Sequence, residues 1–140
     1  MKIKMYIFVI GFILIGNGYL FCQVYNNQLY IDDFINISIN GKIILKQFYG
    51  PPGYGETPKI DSKEYFYVLI LDKPIKVIGG GEMVEEIQLS LGETVNENIK
   101  KNFSIDKDYN VKGEAMYWWN IHHRTPIVIF VDEIIEIIPK

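Results

Sequence analysis

The chain has 140 residues, with 14 basic and 17 acidic side chains and a single cysteine. That length suits one domain, and the acidic balance argues against nucleic acid, whose binding depends on neutralising phosphates. One cysteine leaves no internal disulfide to staple the fold, so stability must come from a core.

Lys2 and Lys4 precede an apolar run from Met5 to Ile15, broken by Gly16, Asn17 and Gly18. A charged start, a short apolar stretch and a polar break make a secretory signal peptide over residues 1–22, with cleavage after Cys22. A retained anchor needs about 20 apolar residues, and Asn17 cuts this run short. A lipoprotein would use Cys22, but lipoprotein signals favour a smaller residue than Phe21 before it. The expected product is periplasmic or secreted, and meets a membrane only during export. Without Lys2 and Lys4 it carries 12 basic and 17 acidic residues, a net charge of −5.

Residues 23–34 read as a lead-in segment able to add an edge strand. Ile35, Ile37, Ile39, Gly41, Ile43 and Leu45 then alternate with mostly polar residues, which predicts a long half-buried strand. Gly41 inside it marks a bend or bulge. Phe48 to Glu64 is a long loop in which Pro51-Pro52-Gly53 favours a type II turn. Tyr65 to Leu71 is a second strand, apolar on both faces, and its outer face is expected to be covered by the lead-in segment or by another chain. Asp72-Lys73-Pro74 interrupts it, and Ile75 to Ile78 continue with a changed register. Gly79-Gly80-Gly81 reads as a hairpin tip, followed by a third strand through Ile87, Leu89 and Leu91.

Thr94 and Glu97 fit a capping box. Val95, Ile99 and Phe103 then give a narrow apolar stripe on a short helix. Tyr109, Val111, Gly113, Ala115 and Tyr117 alternate as a fourth strand. Tyr117 to Pro126 is a second unusual loop, and Ile127 to Val131, continued by Ile134 to Ile138, is the fifth strand.

Five strands with one helix between the third and fourth is the order of an OB-fold. The expected fold is therefore mainly β: a five-stranded OB-fold-like Greek-key barrel over residues 35–140. In that fold strands 2 and 3 form the ligand face, rimmed by loops 1–2 and 4–5. The two unusual loops occupy those two positions.

Several pieces are similar to one bacterial family: Phe48-x-Gly50-Pro51-Pro52-x-Tyr54-x-Glu56, then Glu64, Val68-Leu69-x-Leu71-Asp72-Lys73-Pro74-Ile75, then Ile87-Gln88-Leu89, Val111-x-Gly113 and His122-His123-x-Thr125. Together they resemble the exported family catalogued as domain of unknown function 4431, over about Ile37 to Ile135. The resemblance implies export and an OB-like fold, and carries no activity. Some members join a lysozyme-inhibitor-like region, which this chain lacks. Arg124 stands where the family's loop often has a further histidine.

The candidate ligand-binding residues are Tyr54, Glu56, Asp61 and Glu64 in the first loop, and Trp118, His122, His123 and Arg124 in the second. Adjacent strand residues point to opposite faces, so His122 and His123 do not readily share a metal, and zinc wants three or four ligands. No metal or other cofactor is expected. Of the two tryptophans, one is expected in the core and one as a binding anchor. The sequence has no nucleophile elbow, phosphate loop or HExxH, so a binding module is expected rather than an enzyme. Its partner would be a protein or a cell-envelope ligand. The alternatives are an inhibitor or immunity-type protein that blocks an exported enzyme, and a carbohydrate or metabolite binder.

Overall fold

A computed structural model describes residues 27–30, 34–78, 81–102, 104–117 and 124–139. The signal-peptide reading falls outside them, as do Trp118, His122 and His123. No helix among the described residues is long and apolar enough to cross a membrane.

The elements are β1 (Gln28–Tyr30), β2 (Ile35–Tyr49), β3 (Lys63–Ile78), β4 (Met83–Leu91), α1 (Glu93–Asn102), β5 (Asp108–Tyr117) and β6 (Ile127–Glu136). All six strands belong to one mixed sheet in the order β1-β3-β2-β5-β6-β4, and a further β3–β4 pairing closes β3-β2-β5-β6-β4 into a ring of hydrogen bonds, with β1 added at the edge of β3. Most neighbours are antiparallel, whereas β4–β6 and β1–β3 are parallel.

Alternation decides what fills the ring. Ile37, Ile39 and Ile43 of β2 meet Leu69, Leu71, Ile75 and Val77 of β3 in the core. Ile87 and Leu89 of β4, Val111 and Ala115 of β5, and Ile127, Ile129 and Val131 of β6 complete it. Gly41 and Gly113 sit where backbones approach too closely for any side chain. A Cβ at Gly41 would lie 2.3 Å from the Ile70 carbonyl oxygen, and one at Gly113 would lie 2.1 Å from that of Phe130. The Gly113 contact coincides with a register shift against β6, the bulge that bends a strand.

The interruption at Asp72-Lys73-Pro74 does not end β3, but its register against β4 shifts between Ile70 and Ile75. Past that shift β1 adds alongside, pairing Leu29 with Val77. Within the lead-in, Gln28–Tyr30 are thus an edge strand whose Leu29 enters the inner core, rather than a lid over the outer face of β3 as the two-sided apolar pattern implied.

That outer face is covered elsewhere. Val68, Gln88, Val128 and Met116 are opposite one another across β3, β4, β6 and β5, and all four are buried. Arg124 and Thr125 hydrogen-bond to Gln88 in the middle of this row, so the start of the β6 lead-in roofs it.

The helix opens at Glu93, with the Gly92 carbonyl accepting the Asn96 N–H. Thr94 therefore lies inside the first turn and makes no capping box. Glu93 at the start and Lys100 and Lys101 at the end suit the helix dipole instead. Ile99 is buried and Val95 packs on the core.

Exposed ion pairs link β5 and the residue before it to its neighbours β2 and β6: Lys42 to Asp108, Lys107 to Glu136 and Lys112 to Glu133. The hydrogen bonds to Asp108 and Glu136 raise the Lys42 and Lys107 ammonium groups above their ordinary value. Pairs this exposed contribute little to stability.

Candidate functional site

The first loop, residues 50–62, closes the β2–β3 hairpin and is built around one carboxylate. Asp61 accepts hydrogen bonds from the Gly53 and Gly55 amides at 2.8 Å, the Thr57 amide at 3.1 Å and the Thr57 hydroxyl at 2.7 Å. Burial pushes its pKa up, but these four donors prevail and hold it below the ordinary 3.8. A Cβ at Gly53 would lie 2.2 Å from Thr57 Oγ1 and 2.9 Å from Asp61 Oδ1, so only glycine lets the amide reach the carboxylate.

This brace overrides the expected turn. A type II turn needs positive φ at Gly53, yet the positive φ angles fall at Tyr54 (51°) and Gly55 (105°). The Tyr54 amide donates to the Gly50 carbonyl, and the Pro51–Pro52 peptide is cis. Asp61 is therefore the loop's internal support, with its oxygens spent on the loop's own donors rather than offered to a ligand. Glu56 is exposed.

The sign of the Asp61 shift sets a prediction. A carboxylate held below its unfolded pKa contributes order above that value and loses it as pH falls through the folded one. The Gly53, Gly55 and Thr57 amide resonances are expected to stay constant down to 3.8 and to collapse together only below it. In Asp61→Asn they should be displaced already at neutral pH. A shared transition well above 3.8 would disprove the bracing role.

The two loops meet at Arg124. Its guanidinium donates to Glu64 Oε2 at 2.6 Å and lies 5.0 Å from the Tyr54 ring centroid. The Arg124 side chain is 9% exposed and that of Glu64 34%, so this ion pair is more sheltered than the others. The Arg124 amide donates to Gln88 Oε1 at 2.8 Å. The Gln88 amide donates to Thr125 Oγ1 at 2.7 Å, and that hydroxyl donates to the Ile127 carbonyl at 2.6 Å. Gln88 and Thr125 are both buried. Beside them Phe48 and Phe66 pack with ring centroids 6.1 Å apart.

Tyr117, at the start of the second loop, is anchored too. Burial raises its phenol pKa, aided by the Glu82 charge and a hydrogen bond to that carboxylate.

Of the eight candidates, Tyr54, Glu64 and Arg124 thus form one cluster over β3 and β4. Asp61 supports the loop from inside. Trp118, His122 and His123 belong to the segment between Tyr117 and Arg124, outside the described residues. Gln88 and Thr125 were not singled out as site residues; the Gln at an apolar-flanked position in Ile87-Gln88-Leu89 is the one signal that could have found the first. Among the described residues no group of three or more His, Cys, Asp or Glu could hold a metal.

No protein-family model, curated protein or solved structure matches the chain.

Proposed function

We propose that this chain is an exported, OB-fold-like binding module that recognises a protein or cell-envelope ligand through the rim of its first and second loops. The ring β2-β3-β4-β6-β5, with α1 between β4 and β5, supports the OB reading, because it is the pairing order of a five-stranded Greek-key barrel. The resemblance to domain of unknown function 4431, carried by the Gly50-Pro51-Pro52 and Leu71-to-Ile75 pieces, accords with export.

The observation that carries the binding reading is Arg124. It bridges Glu64 and Tyr54 across the two loops, so the rim is held before any ligand arrives. Preorganisation of this kind lowers the cost of binding. Among the described residues the rim gathers the Glu64–Arg124 ion pair, the Tyr54 ring and the exposed Glu56, a set suited to recognition.

An inhibitor-type plug is the second reading. It is favoured by the first loop standing at the tip of a ribbon where β2 has lost β5 and pairs with β3 alone.

The test is capture from cell-envelope extract by the chain lacking residues 1–22, followed by titration of the captured partner. Tyr54→Ala and His123→Ala are each expected to cost about 2 kcal/mol of binding, the size of a hot-spot truncation, while melting curves stay close to the parent's. A partner whose affinity ignores both substitutions would remove the loops from the binding surface.

A further inference from the structure

The ribbon carrying the first loop has a second face that the loop cluster does not use. From Ile43 to Tyr49 β2 pairs only with β3, because its pairing with β5 ends at Lys42 and Asp108. Directly opposed residues share a face. Ile44 with Val68, Lys46 with Phe66 and Phe48 with Glu64 lie on the side bearing the Glu64–Arg124 pair. Leu45 with Tyr67, Gln47 with Tyr65 and Tyr49 with Lys63 lie on the other. Phenylalanines thus take the sheltered side, while on the other side Tyr67 packs against the core and Leu45, Tyr49 and Tyr65 face water. Leu45 is 53% exposed, Tyr65 58% and Tyr49 38%.

Beside this tyrosine face runs the outer edge of β2. Among the described residues no strand pairs with it between Ile43 and Tyr49. Open edges are normally guarded by a lysine, a proline or a bulge. Lys46 is the one charge on this stretch, and it is turned to the opposite side, bonded to Glu86 and set over Phe48. The edge is left unguarded on its tyrosine side.

We propose that an extended peptide segment of another protein adds here as a further strand along Ile43–Tyr49, with alternate apolar side chains laid on Leu45, Tyr65 and Tyr49. The open backbone row asks for an extended chain rather than a helix or a sugar, because strand addition draws its affinity from main-chain hydrogen bonds and its specificity from alternate side chains. Tyrosine supplies wide amphipathic contact at low entropy cost. A second copy fits less well. Full antiparallel overlap of this segment with itself puts Lys46 opposite Lys46, and like charges directly opposite are destabilising. The proposal uses the face opposite the loop cluster and stands independently of the loop reading.

A displayed library of random decapeptides selected on the chain lacking residues 1–22 tests this. Enriched peptides are expected to alternate apolar and polar residues and to slow amide exchange at residues 43–49. Leu45→Lys and, separately, Tyr65→Glu change exposed side chains, so the melting temperature should hold while peptide binding falls by about tenfold or more, the equivalent of 1.4 kcal/mol. Absence of enrichment, binding indifferent to both variants, or protection at another strand would overturn the proposal. So would sedimentation showing a dimer of the parent chain that Leu45→Lys dissolves, which would give the edge to a second copy.

Discussion

Gly113→Val is expected to lower the folding free energy by about 3 kcal/mol or more, at or beyond the upper end of ordinary overpacking. The obstacle is backbone rather than side chain. A Cβ there would meet the Phe130 carbonyl oxygen at 2.1 Å and Ile129 Cγ2 at 3.0 Å, and β6 cannot step aside without loosening its pairing to β4 as well. The first carbon makes the clash, so Gly113→Ala should already take most of the loss. Urea unfolding reads it as a lower midpoint at unchanged slope. A Val variant melting at the parent's midpoint would show that β5 and β6 separate freely at this point.

The second large effect is Leu29→Ala. β1 is only three residues long, yet Leu29 is buried in the common core, and the Asn27 carbonyl accepts the Lys76 amide at 2.7 Å. Truncating a buried leucine typically costs about 2–5 kcal/mol. The nearby exposed Tyr30 is the control, since Tyr30→Ala should fall within about 0.5 kcal/mol of the parent. Equal melting of Leu29→Ala and the parent would reduce β1 to an ornament on the edge of β3.

The order of elements was readable because three stretches alternate with period two, two more are short continuous apolar runs, and the helix stands out by its spacing. Gly41 and Gly113 were readable for the same reason, since a glycine at an inward position has few explanations other than close approach or a bend. The Asp72-Lys73-Pro74 break announced the register shift in β3. What sequence could not convey depends on contacts between distant residues. Arg124 meets Glu64 only because the ring brings β3 beside the second loop. The row Val68, Gln88, Val128 and Met116 is buried on the outer face, where alternation alone predicts solvent. Asp61 looked like a ligand-facing acid because its composition is the same whether it points out or in; the three amides it accepts settle that, and their geometry is not a pattern of residue types. Thr94 failed as a cap by two positions, since Gly92 already supplies the first helical carbonyl.

The ring also dictates an order of events. β6 is the last strand in the sequence and the one that pairs with both β4 and β5, while β2, the first long strand, waits for β5 as its second neighbour. Until residues 127–136 are available, β4 and β5 each keep an open edge and the inner row lacks Ile127, Ile129 and Val131. A chain growing from its N-terminus can therefore form the β2–β3 ribbon early but cannot close the ring. Such non-local pairing makes folding slow relative to helical domains of similar size, and it leaves closure of the ring to the strand that is made last of the six.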